Sequence, residues 1–97
     1  MIELDKLEAA SEMLKAIAHP IRIAIVGMLD NKKELCVTDI YETLKIEQAV
    51  ASHHLSILKN KGVVISERCG KNCIYSLKYE RLAQIVSCIE QCQIESK

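Results

Sequence analysis

The chain has 97 residues, 49% of them apolar, with basic and acidic side chains in balance, no Trp or Phe and only three Tyr. One domain of this size holds a modest core, and with so few aromatics that core is built from Leu, Ile, Val and Ala. No apolar run approaches the roughly 18 residues of a membrane span and no basic-then-apolar leader is present, so the chain reads as a cytoplasmic protein with no membrane partner.

In chain order, Leu4, Leu7, Ala10, Leu14 and Ile17 recur at three- and four-residue steps and predict an amphipathic helix over 3–17. Pro20 suits the first turn of a second helix, where its missing N–H is not needed. That helix runs to about Leu29, with Ile21, Ala24, Ile25 and Met28 on its buried side. "DNKKE" is a polar turn. Thr38 or its neighbour caps a short third helix, with Asp39 in the first turn and Ile40 and Leu44 facing inward. After a break at Lys45–Glu47, "QAVASHHLSILKNK" forms a fourth helix, which Gly62 ends. Composition then turns β-rich: strands near 63–69 and 73–77 flank the turn "GKN" as a hairpin. Residues 79–94 return to a helical period through Leu82, Ile85, Val86 and Ile89. The class is mainly α with a β-hairpin, α-α-α-α-β-β-α, a winged helix-turn-helix in a single domain.

Net neutrality hides a polarised charge. Residues 45–75 carry Lys45, Lys59, Lys61, Arg68 and Lys71 against Glu47 and Glu67, a net +3, whereas residues 1–20 carry a net −2. The basic block covers the fourth helix and the wing, where a DNA reader needs it.

The fourth helix also holds Ser52, His53 and His54 side by side. Successive helical residues lie about 100° apart, so the two histidines cannot share a face. Ala51, Leu55 and Leu58 form the buried stripe, with Val50 and His54 on its flank. Gln48, Ala49, Ser52, His53, Ser56 and Lys59 form the opposite face. Small side chains allow close approach there, and their neighbours can bond base edges or phosphates. A His53–His54 metal pair is disfavoured, because zinc ligands on one helix stand three or four residues apart. No Ser-His-Asp constellation and no Gly-rich phosphate loop is evident, so neither catalysis nor a small-molecule substrate is expected.

The sequence resembles the ArsR/SmtB transcriptional repressors. "LKAIAHPIRIAIVGML" is similar to that family's second-helix signature and "ELCVTDI" to its third-helix opening. "EQAVASHHLSILKNKGVV" is similar to its recognition helix and "ERCGKNCIYSL" to its wing. The resemblance spans about residues 7–95. It implies a homodimer, joined through the first and last helices, that binds a palindromic double-stranded operator and releases it when an inducer binds. It places DNA contacts at Gln48, Ser52 and His53, with Arg68, Lys71 and Asn72 in the wing. Glu47 departs from the family, which often has a capping Ser there, and its carboxylate opposes phosphate.

Five cysteines, at 36, 69, 73, 88 and 92, are many for this length, and an odd count without a leader does not suggest a structural disulfide framework. As thiols they bind metals or sense oxidants. Against the family's Cys-Val-Cys pattern the chain has Cys36-Val37-Thr38, keeping only the first thiol. The family's zinc positions correspond to Tyr79, Arg81, Cys92 and Glu95, where two ligands are lost and Arg81 opposes a cation. Its persulfide sensors carry a Cys where this chain has Gly27. Cys88 and Cys92, one turn apart on the last helix, can share a soft metal or As(III), with further thiolates from a partner subunit; equally, both can serve as small apolar residues. Cys69 and Cys73 flank the hairpin turn. Directly opposite hairpin residues have Cβ atoms about 4.5–5.5 Å apart, which allows a disulfide or a shared ligand, with Arg68 and Lys71 favouring thiolate; equally, both can be incidental hairpin thiols.

The expected function is therefore a DNA-binding repressor released by a thiophilic metal(loid) or thiol-redox signal. No cofactor is implied beyond a thiolate-bound metal(loid) ion as inducer. The rivals are a repressor without an inducer site, a winged-helix protein-interaction module and a small metal-buffering thiol protein.

Overall fold

The computed structural model of the protein describes residues 3–95. Its elements are α1 (Leu4–Ile17), α2 (Pro20–Met28), β1 (Leu35–Cys36), α3 (Val37–Leu44), α4 (Gln48–Asn60), β2 (Val64–Cys69), β3 (Asn72–Leu77) and α5 (Arg81–Glu95). The expected order holds, with one addition. Leu35–Cys36 pairs antiparallel with β3, Leu35 opposite Tyr75 and Cys36 opposite Ile74, so the sheet has three strands in the order β1-β3-β2. A two-residue strand shows no alternation, so nothing local announces it. Among the described residues no helix is long and apolar enough to cross a membrane.

The α1–α2 corner is set by polar contacts. His19 precedes Pro20 as the N-cap of α2, and its Nδ1 accepts the Ile21 N–H at 3.1 Å. Arg22 reaches back from α2 and donates to the Ala16 carbonyl, 2.7 Å away in the last turn of α1. A cation there satisfies an orphan carbonyl and suits the helix dipole.

The α2 helix is central, packing on α1, α3, α4 and α5. Its fully buried residues are Ile25 and Val26, with Leu29 just beyond. Ile21, Ala24 and Met28, expected on the buried side, are half-buried. A helix touched on several sides has no single stripe, and the one-sided pattern misplaces its centre.

Two matching stops bracket α4. In α3, Ile46 N–H bonds the Tyr41 carbonyl at 3.1 Å and Lys45 N–H bonds that of Glu42 at 3.3 Å, with Lys45 left-handed at φ 57°. In α4, Val63 N–H bonds Leu58 at 2.9 Å and Gly62 N–H bonds Lys59 at 3.1 Å, with Gly62 at φ 77°. Both are Schellman motifs, and in the second the hydrophobic pair is Leu58 and Val63, both fully buried. The two stops fix where α4 begins and ends.

Candidate nucleic-acid interface

Helix α4 is divided as its period predicts. Ala51, Leu55 and Leu58 are fully buried, whereas Gln48, Ala49, Ser52, His53, Ser56 and Lys59 are exposed. The apolar stripe anchors the helix on α1, α2, α3 and β2, leaving a polar face of small and hydrogen-bonding side chains outward. Val50, expected on the flank, is exposed, and Asn60, not anticipated, extends the polar face by a turn. Glu47 is the N-cap, but its side chain makes no cap hydrogen bond. The first N–H groups of α4 therefore start beside an exposed carboxylate.

His54 turns inward and is 7% exposed. Its ring lies 4.4 Å from that of His19, centroid to centroid, and 5.2 Å from that of His53. Burial is the main cause holding its pKa below the ordinary 6.5, and His19, Arg22 and His53 add to it in that order. The contact with His19 escaped the sequence reading. A histidine before a helix-starting proline signals a cap, and nothing in that pattern shows which helix its ring will meet.

In the wing, β2 and β3 pair from Val64 opposite Leu77 to Cys69 opposite Asn72. The loop is Gly70–Lys71, with Gly70 at φ 66°, the glycine-first pattern of a two-residue type II′ turn. Asn72 belongs to β3 rather than to the turn. Arg68, Lys71 and Asn72 are all exposed.

The register corrects the expectation for Cys69 and Cys73. Cys73 stands opposite Arg68, and Cys69 opposite Asn72. Because cross-strand partners share a face and neighbours along a strand alternate, the two thiols project from opposite faces of the hairpin. Cys73 faces inward beside Tyr75, whose phenol pKa is raised by burial and then by this thiol. An intramolecular bridge between them is excluded without refolding the wing.

The remaining thiols separate. Cys36, not Thr38, caps α3, and the Asp39 carboxylate accepts its backbone N–H and its thiol. Cys88 and Cys92 are both exposed on α5, on the same stripe as the exposed Ile85 and Ile89. Among the described residues no group of three or more His, Cys, Asp or Glu side chains is placed to hold a metal ion. Tyr79 and Arg81 are exposed, and the side chain of Glu95 lies outside the described residues.

A short helix pair, an α4 with one polar exposed face and an adjoining β-hairpin define a winged helix-turn-helix. Residues 19–66 match the model of the bacterial regulatory protein, arsR family. The chain is 45% identical over 80 residues to the transcriptional repressor SmtB of Mycobacterium tuberculosis, covering 82% of this chain and 58% of SmtB. The chain thus spans under two thirds of that relative's length. The crystal structure of the transcriptional repressor PagR of Bacillus anthracis superposes with a TM-score of 0.79 at 36% identity, over 90% of this chain and 99% of PagR. A homodimeric winged helix-turn-helix DNA-binding domain from Mycobacterium bovis, a possible ArsR-family regulator, superposes with a TM-score of 0.81 at 25% identity, over 96% and 85% of the two chains. The chain belongs to the ArsR family.

Proposed function

We propose that this chain is a transcriptional repressor that binds a palindromic operator as a homodimer. The observation that carries the reading is the division of α4: an apolar stripe buried to completion behind an exposed face of Gln48, Ala49, Ser52, His53, Ser56 and Lys59. A helix anchored that way presents its outer face to a major groove, while Arg68, Lys71 and Asn72 on the wing supply backbone contacts. Both elements lie in the basic block, and phosphate neutralisation supplies most of the affinity.

The second subunit docks on α1 and α5. Leu7 and Leu14 on α1 and Ile85 and Ile89 on α5 are exposed, and a groove of about 430 Å³ lined by Leu14, Ile17, Ile23, Ile85 and Ile89, with Glu90 and Gln93 at its edge, runs between these helices and α2. Contiguous apolar surface of this kind is what a monomer does not leave in water. The Mycobacterium bovis domain, which is homodimeric, supports pairing of two subunits.

Release from DNA is assigned to the cysteines, and within them to Cys88 and Cys92. Both lie on the proposed dimer seam, where thiols of two subunits meet and can bind a thiophilic metal(loid) or be oxidised.

The test of the DNA reading is Ser52→Ala combined with His53→Ala, measured by gel shift at fixed salt on promoter DNA of the protein's own gene. Affinity falls by about tenfold or more, as expected for two lost polar contacts of roughly 1 kcal/mol each, while circular dichroism and dimer mass are unchanged. Unchanged affinity rules out this face.

A further inference from the structure

His54 is the one buried polar side chain among the described residues, and the interface gives it no direct task. It shares the inner side of α4 with Ala51, Leu55 and Leu58, where a leucine would fit the pattern. Its Nδ1 is buried without a hydrogen-bond partner, while His19 commits its own Nδ1 to the Ile21 N–H. An unpaired buried nitrogen costs stability that an apolar residue would not. The unpaired nitrogen does not account for a histidine at this place. What it touches is His19, at 4.4 Å with the planes 39° apart, at the corner where α1 turns into α2.

We infer that His54 is a positioning residue: its ring contact with His19 fixes the pose of α4 on the α1–α2 corner, and the contact holds only while His54 is uncharged. The proposal rests on the DNA-binding reading above. Protonating His54 loosens the seat of the reading face and lowers affinity for DNA.

The charges around His54 all oppose its protonation. After burial, His19 at the α2 N-cap, Arg22 on α2 and His53 on α4 each disfavour the added proton, and no carboxylate is among the groups acting on it. On α1, Glu12 is engaged at 3.5 Å by Lys61, the C-cap of α4 about two turns beyond His54. On α3, Asp39 is held by Cys36 and Glu42 is exposed; on β2, Glu67 and Arg68 are exposed. The sign follows. The folded protein prefers neutral His54, so its contribution is complete above the ordinary pKa of 6.5. It is lost as pH falls from there towards the lowered value of the folded state.

The experiment uses a DNA duplex enriched from a random library by the wild-type protein, with affinity read by fluorescence anisotropy at constant ionic strength between about pH 7.5 and about pH 5.5. His54→Gln binds more weakly than wild type at the upper pH but no longer loses affinity on acidification, so the wild-type to variant ratio falls several-fold across the range. Parallel profiles for wild type and His54→Gln overturn the proposal. Should His54→Gln not fold by circular dichroism, His19→Asn, which can still cap α2, removes the same ring contact and is expected to flatten the profile likewise; a profile parallel to wild type again overturns it. Melting of the free proteins over the same range separates the positioning role from DNA binding. If wild type enriches no sequence at any pH, the DNA reading itself fails and the positioning role falls with it. Acid destabilisation of wild type but not of His54→Gln would then identify a proton-linked helix seat alone.

Discussion

The Asp39 carboxylate accepts two bonds from one residue, the Cys36 backbone N–H at 3.2 Å and the Cys36 thiol at 3.1 Å. The first is half of a capping box for α3, and the second occupies the only thiol kept from the family's Cys-Val-Cys pattern. Cys36 is thereby given a structural task, and Ser, a stronger cap, performs it better. Cys36→Ser is expected to raise stability by up to about 1 kcal/mol in thermal melts. It is also expected to leave release from DNA by Cd(II), As(III) or a disulfide-forming oxidant intact, whereas Cys88→Ser with Cys92→Ser abolishes it. A Cys36→Ser protein that no longer releases DNA would move the sensor to α3.

Lys45 ends α3 in the left-handed region at φ 57°, the position where Gly62 ends α4 at φ 77°. A side chain held there costs about 1–2 kcal/mol relative to the right-handed form. Lys45→Gly removes that cost and gives some of it back by loosening the unfolded chain. The expected net gain is about 1 kcal/mol, read as a melting-temperature rise of about 4–8 °C. A loss of stability would show instead that the Lys45 side chain holds the turn through a contact of its own.

The same pair of residues shows what was legible in advance. Gly62 announces a helix end because glycine is the residue that this geometry favours. Lys45 announces nothing, and the pattern shows only a break over 45–47. The amphipathic stripe of α4 was legible because the helix is buried on one side: Ala51, Leu55 and Leu58 fell where the period put them. The surrounded α2 defeated the same reasoning. Contacts between distant segments were out of reach altogether. The pairing of Leu35 with Tyr75, the ring contact of His19 with His54 and the opposed faces of Cys69 and Cys73 depend on register and docking, which a local pattern does not encode.

Glu47 bears on the proposed DNA-binding role of α4. It sits at the N-cap without capping, so the first N–H groups of the helix lack a partner from its side chain, and its carboxylate stands where a phosphate would approach a helix N-terminus. Glu47→Ser is expected to stabilise the chain by about 1 kcal/mol through a restored cap. It also removes one charge repelled by phosphate, so affinity for the enriched duplex rises several-fold at low salt and the advantage shrinks as salt screens it. Tighter melting without tighter binding would place Glu47 away from the DNA backbone.

Ile89 is 54% exposed on α5, beside Ile85 at 42% and across the apolar groove from Leu14 at 53%. In a lone subunit these side chains gain nothing from their position, and a charge placed among them would cost little. Buried against a second copy, the same charge would have no partner and would be strongly unfavourable. Ile89→Glu is therefore expected to leave the monomer folded by circular dichroism and to shift sedimentation from dimer to monomer at micromolar concentration. Because a palindromic site needs two recognition helices held one DNA turn apart, operator affinity falls with the dimer. Sedimentation unchanged by the substitution would mean that the subunits, if they pair, do so through a surface other than α1 and α5.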